Sequence, residues 1–91
     1  MRDVVDLVVT QVTDGEIRWE DWWLRRHGKV RHQIPTFDDY LGFIDFDLAN
    51  NSLPRLRRDG ERIVLKRVPL ATVAAVQRIV EYHGFRAEPL I

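Results

Sequence analysis

Residues 53–68 read LPRLRRDGERIVLKRV, the plainest structural statement in the chain. Asp59-Gly60 stands between two extended runs, and Asp-Gly is a strong signal for a two-residue hairpin turn. Counting outward from that turn pairs Arg58 with Glu61, Arg57 with Arg62, Leu56 with Ile63 and Arg55 with Val64. Alternation along each strand then divides the ribbon into two faces. Pro54, Leu56, Ile63 and Leu65 share a face that can cover a core. Arg55, Arg57, Arg62 and Lys66 share the other, with Val64 among them. Arg57 directly opposite Arg62 is unfavourable in a free hairpin, so the pair calls for a bound anion or for carboxylates elsewhere in the fold.

The composition sets the frame for this ribbon. A chain of 91 residues is too short for two separate cores and is expected to form one domain over 1–91. Apolar residues at 45% and charged ones at 31% describe a folded globule, not a disordered chain. The chain has no cysteine, which excludes disulfides, thiol catalysis and cysteine-based zinc sites and suits a cytoplasmic protein. No apolar run approaches the roughly 18 residues of a membrane span. The start, with Arg2 and Asp3, lacks the charged-then-apolar order of a signal peptide.

Formal net charge is zero, yet the charges are segregated. Residues 1–16 sum to −3, 17–32 to +3, 36–47 to −4 and 53–67 to +4, while 69–91 are neutral. Net neutrality argues against a histone-like polycation and leaves a basic patch beside an acidic one. A two-signed surface of this kind suits a protein partner, including a second copy of the chain, as well as it suits a nucleic acid.

Hydrophobic spacing supplies the remaining elements. Val4, Val5, Val8, Val9 and Val12 recur at helical spacing behind Asp3 as a cap, which predicts a helix over 3–13; five valines this close also suit a strand, because β-branched side chains are stiff. Arg18–His27 reads as a second helix closed by Gly28. Trp19, Trp22 and Trp23 form one stripe on it, mainly core, with Trp22 or Trp23 left near the surface as an interface anchor. Thr36 caps a third helix with Asp38 and Asp39 in its first turn. Phe37, Tyr40, Leu41, Ile44 and Leu48 make its apolar face, Asp45 and Asp47 point away, and Asn50-Asn51 ends it. Gly42 within this helix costs roughly 1 kcal/mol relative to alanine, which implies close approach by another group, Trp22 or Trp23 being candidates. A fourth helix over Leu70–His83 follows Pro69, with Val73, Val76, Ile79 and Val80 buried; Gly84 stops it and Phe85 latches it. Phe85–Ile91 returns as a short strand or tail.

The order helix, short strand, helix, helix, hairpin, helix over Val4–Val68 resembles the winged-helix arrangement, in which three helices precede a two-stranded wing. Within it, TFDDYLGFIDFDLANNSLPRLRRDGERIVLKRV (36–68) is similar to the third-helix-plus-wing segment of winged helices and, distantly, of LOTUS (OST-HTH) domains. The resemblance implies a small α+β domain: three helices, a basic β-hairpin and a C-terminal helix. The connection before the third helix is longer than a helix-turn-helix allows. The third helix also carries Asp38, Asp39, Asp45 and Asp47 where a major-groove reader needs Arg, Lys, Asn or Gln. Contact would then come from the wing or from the 29–32 loop, and the LOTUS-like comparison implies RNA or a protein partner.

The leading expectation is a small regulatory protein that contacts nucleic-acid phosphates through Arg55, Arg57, Arg62 and Lys66, joined by Lys29 and Arg31, because arginine donates paired hydrogen bonds to phosphate. Against it stands a solvated strand face whose cations discourage aggregation. The alternative is a protein-interaction module, an inhibitor or adaptor, using Asp38, Asp45 and an exposed Trp22 or Trp23. A metal-free nuclease with His32 as acid–base group comes third, and the chain is otherwise expected not to be an enzyme. His27 and His83 suit helix ends, where they complement the dipole. No histidine–carboxylate spacing supports a metal, no glycine loop cradles a phosphate, and no cofactor is expected.

Overall fold

The valine-rich first segment is a strand. β1 (Val4–Gln11) replaces the helix expected over 3–13, and the alternative reading of the same valines is the one realised. The reason lies in the spacing. Positions 4, 8 and 12 and positions 5 and 9 are separated by four, which suits a helical turn but is also an even number, so it suits strand alternation equally. β-branching then favours the extended form. Val5, Leu7 and Val9 face the core, while Val4, Asp6, Val8 and Thr10 face the other way.

The computed structural model describes residues 3–12, 21, 23–25 and 36–90. Asp21, Trp23, Leu24 and Arg25 are helical, within the expected second helix; the rest of that helix and the 29–32 loop lie outside the described residues. After them come α1 (Phe37–Asn50), β2 (Arg57–Asp59), β3 (Arg62–Pro69), a 3₁₀ turn over Leu70–Thr72, α2 (Val73–Tyr82) and β4 (Phe85–Pro89). The strands form one antiparallel sheet in the order β2-β3-β1-β4. β1 is thus a central strand, and the hairpin expected as a two-stranded ribbon is extended into four strands. β3 and β4 flank β1 and run parallel to each other, which requires the crossover through α2.

Both helices pack on one face of this sheet. Tyr40, Ile44 and Leu48 of α1 and Val76 and Val80 of α2 form a core with Leu7, Val9, Ile63, Leu65, Val68, Phe85 and Ala87. The strand residues among them share a face by register: Val9 stands between Ile63 and Ala87, Leu7 pairs with Leu65, and Val5 pairs with Val68. Fully burying each such aliphatic side chain is worth about 1.5–3 kcal/mol.

Local signals place α1 and the end of α2 where expected, whereas the expected first turn of α2, Leu70–Thr72, is 3₁₀ and Pro69 closes β3. Thr36 Oγ1 accepts the Asp39 N–H at 3.2 Å, and Asp39 Oδ2 accepts the Thr36 N–H at 2.9 Å, a reciprocal capping box. At the other end of α1, Ser52 takes φ = 56°, and the Leu53 N–H returns to the Leu48 carbonyl at 2.9 Å, a Schellman closure with serine at the usual glycine position. After α2, Gly84 adopts φ = 87° and Phe85 is buried, the expected stop and latch.

The hairpin turns one residue later than expected. Asp59 pairs with Arg62, Arg58 with Ile63 and Arg57 with Val64, so the loop is Gly60-Glu61. Gly60 has φ = 65° while Glu61 does not enter the positive-φ region, the pattern of a II′ turn, which takes glycine at the first loop position. Arg57 moves from Arg62 to Val64, a step of two. An even step keeps each side chain on its face, so Arg57, Arg62 and Lys66 still lie together, opposite Ile63 and Leu65.

Farther along, β3 holds one residue more than β1 between the pairs Val5–Val68 and Leu7–Leu65. Arg67 sits at this bulge with φ = 56°, and its N–H donates to Asp6 Oδ1 at 2.8 Å. Bulges of this family normally put glycine at the left-handed position; here a carboxylate on the neighbouring strand holds an arginine there.

Candidate functional site

The basic hairpin and the acidic helix are neighbours in sequence, and the fold lays one along the other. Asp45 stands on the flank of α1 that faces the hairpin. Its Oδ1 accepts the Leu56 N–H at 2.7 Å, and its Oδ2 lies 3.8 Å from Arg55 Nη2. About two turns earlier, Asp38 Oδ1 accepts a hydrogen bond from Arg58 Nη2 at 2.9 Å. These contacts frame an open cleft of about 290 Å³ lined by Asp38, Leu41, Gly42, Asp45, Leu56, Arg57, Arg58 and Ile63. Asp47 leaves on the opposite flank, where its Oδ2 lies 2.7 Å from Nε2 of buried His83. Asp39 is held in the capping box. Every carboxylate of α1 therefore has an intramolecular role, and Asp45 and Asp47 are half-buried on the helix flanks where sequence pattern had them pointing away.

The expected phosphate-contact residues separate accordingly. Arg55 lies before β2, outside the paired residues, with its Nη2 3.8 Å from Asp45 Oδ2. Lys66 Nζ lies 3.4 Å from Asp59 Oδ2 and 3.9 Å from Asp6 Oδ2. Arg57 and Arg62 remain; among the described residues neither has an ion-pair partner. Their direct opposition, expected from an Asp59-Gly60 turn, does not occur, since Val64 faces Arg57 and Asp59 faces Arg62. The unfavourable like-charge pair that would have called for an anion is therefore absent. Lys29 and Arg31 lie outside the described residues, as do His27 and His32. Exposed ion pairs of this kind contribute at most about 1 kcal/mol each, so they balance charge more than they stabilise the fold.

The expected interface anchors are also redistributed. Trp23 is 7% exposed and belongs to the core, edge-on to Tyr40 at 5.2 Å and stacked on Phe43 at 6.3 Å. Trp22 lies outside the described residues. Gly42 is exposed, and a Cβ there meets nothing within 4 Å among the described residues, so Trp23 does not account for the glycine; Trp22, the other expected neighbour, lies outside the described residues. Among the described residues, the exposed aromatics of α1 are Phe46, 65% exposed, and Phe43 at 39%. At about 100° per residue, Gly42 and Phe46 each lie about 20° from the direction opposite buried Ile44. The signal was present in the sequence: a phenylalanine two residues from a core isoleucine on a helix cannot face the same way.

His83, expected to be structural, caps α2 in the core. Its Nε2 shares a 2.7 Å hydrogen bond with Asp47 Oδ2, which ties the end of α2 to α1. No group of three His, Cys, Asp or Glu among the described residues is placed to hold a metal ion, and no described helix is long and apolar enough to cross a membrane. No protein-family model, curated protein or solved structure matches the chain.

Proposed function

We propose that this chain is a protein-interaction module, an adaptor or inhibitor, that makes contact through the outer face of α1. The observation that carries this reading is the exposure of Phe46 beside Phe43 on the side of α1 turned away from the core. Aromatic residues are enriched at the centres of protein interfaces, and Phe43 is already held in place by Trp23 and Tyr40. The test replaces Phe46 with photo-crosslinking benzoylphenylalanine and, as a control, exposed Glu81 on α2, followed by irradiation in the source cells. Adducts at position 46 without adducts at 81 support the reading, and their absence at 46 overturns it.

A second reading, nucleic-acid binding, is favoured by one specific observation: Arg57 and Arg62 share a sheet face with Lys66 and lack ion-pair partners among the described residues. With two uncommitted arginines, duplex DNA binding would show a log–log salt slope of about −2. No binding at low salt removes this reading. The winged-helix relationship is retained as a proposal for the helix-plus-hairpin segment 37–68 only, supported by the order α1, β2, β3.

A further inference from the structure

Resting on the interaction reading above, we infer that the occupant of the α1 face is a second copy of this chain, docked antiparallel through α1 as a weak two-fold dimer. The argument begins with Gly42. A glycine in an exposed helix interior is costly, and here no described group approaches it. One turn away, Phe46 is an exposed knob. Asp39, Gly42, Phe43 and Phe46 stand at i, i+3, i+4 and i+7, the four corners of a hole on a helix surface. Its glycine corner leaves open the space that a side chain would fill.

An antiparallel copy related by a two-fold axis near Ile44 brings the partner's Phe46 over that hole. The same axis puts Phe46 of the first copy into the partner's hole. Knob and hole on one helix, one turn apart, are what an isologous contact needs, because whatever residue i does to j is done in return. The electrostatics select the same orientation. Antiparallel docking sets Asp39 beside the partner's Asn50, an amide donor, and Asp38 beside the partner's Ala49. Parallel docking would set the acidic first turns against each other, which is repulsive.

Such a stripe covers well under the roughly 800 Å² per partner of a standard interface. The dimer is therefore weak, with a Kd on the order of 0.1–1 mM.

The test is sedimentation velocity on the full chain from about 10 µM to 1 mM, which brackets that Kd. The wild type is expected to shift toward dimer mass across this range. Phe46→Ala removes the knob and is expected to weaken association at least about tenfold. Gly42→Gln fills the hole with a better helix former, so it is expected to abolish association while raising Tm, a combination that unfolding cannot produce. A wild type monomeric throughout overturns the proposal, and so does association that survives either substitution. In the cross-linking experiment at position 46, adducts of twice the chain mass are expected. Adducts only of other masses overturn the second copy and leave the interaction reading standing, whereas no adduct overturns both.

Discussion

Asp45 and Asp38 are carboxylates seven residues apart on the same flank of α1, both facing arginines of the hairpin segment, yet their removal should differ severalfold in cost. Asp45→Ala deletes a 2.7 Å acceptor for the part-buried Leu56 N–H. A hydrogen bond to a charged group is worth about 1.5–3 kcal/mol, and an unmatched buried donor carries its full desolvation penalty. The 3.8 Å approach of Arg55, whose side chain is 65% exposed, adds at most a few tenths of a kcal/mol. Replacing aspartate by alanine in a helix returns about 0.6 kcal/mol of propensity. The net cost is about 1–2.5 kcal/mol. Asp38→Ala loses only the pair with Arg58, in which both side chains are mostly exposed, and a first-turn dipole interaction of about 0.3–1 kcal/mol. The same propensity gain nearly cancels these losses, leaving a cost under about 1 kcal/mol. Urea unfolding followed by tryptophan fluorescence and far-ultraviolet circular dichroism measures both. For a domain of this size, each kcal/mol corresponds to about 4–8 °C in Tm. Equal effects of the two substitutions would refute the claim that Asp45 anchors the entry to the hairpin through the Leu56 amide.

The remaining predictions concern backbone and core. Arg67→Gly removes a left-handed arginine from the bulge and should stabilise by up to about 1 kcal/mol, whereas Asp6→Ala, which leaves the exposed Arg67 N–H to water, should cost about 0.5–1.5 kcal/mol; thermal melts of both variants check the opposite signs. Ser52→Gly at the α1 closure, φ = 56°, should raise stability by about 0.5–1 kcal/mol, and a lower urea midpoint would contradict the Schellman assignment. Ile44→Ala, at a fully buried position, should cost about 2–5 kcal/mol, while Phe46→Ala on the outer face should stay within about 0.5 kcal/mol.

What could be read ahead of the structure was local. Thr36 and Asp39 specify a helix start at three-residue spacing, Gly84 and Phe85 specify a stop, and the core stripes of α1 and α2 follow from turns of one helix. What failed depended on ambiguity or distance. The valines of β1 fit two periods at once, and only the partners on both sides, β3 and β4, decide between them. The hairpin turn could use glycine as its second or its first loop residue, and the neighbouring strands settle the register. The anchoring of Leu56 by Asp45 and the pairing of His83 with Asp47 join residues 11 and 36 positions apart, which no local pattern announces.

The placement of charge decides how the two functional readings should be weighed. A +4 block following a −4 block reads, residue by residue, as a cationic patch beside an anionic one. In the fold the blocks lie against each other, and Arg55, Arg58 and Lys66 each face a carboxylate. Those pairs are exposed and individually weak, so a polyanion could recruit them at small cost. The salt dependence of any DNA binding therefore discriminates. A slope near −2 means that Arg57 and Arg62 act alone and the intramolecular pairs survive, whereas a slope near −4 or steeper means that the pairs open and the hairpin is delivered to phosphate as a unit. In the second case Asp38→Asn and Asp45→Asn should tighten binding by releasing the arginines in advance. In the first they should leave affinity almost unchanged. If the substitutions weakened binding instead, neither account of the hairpin's charge would stand.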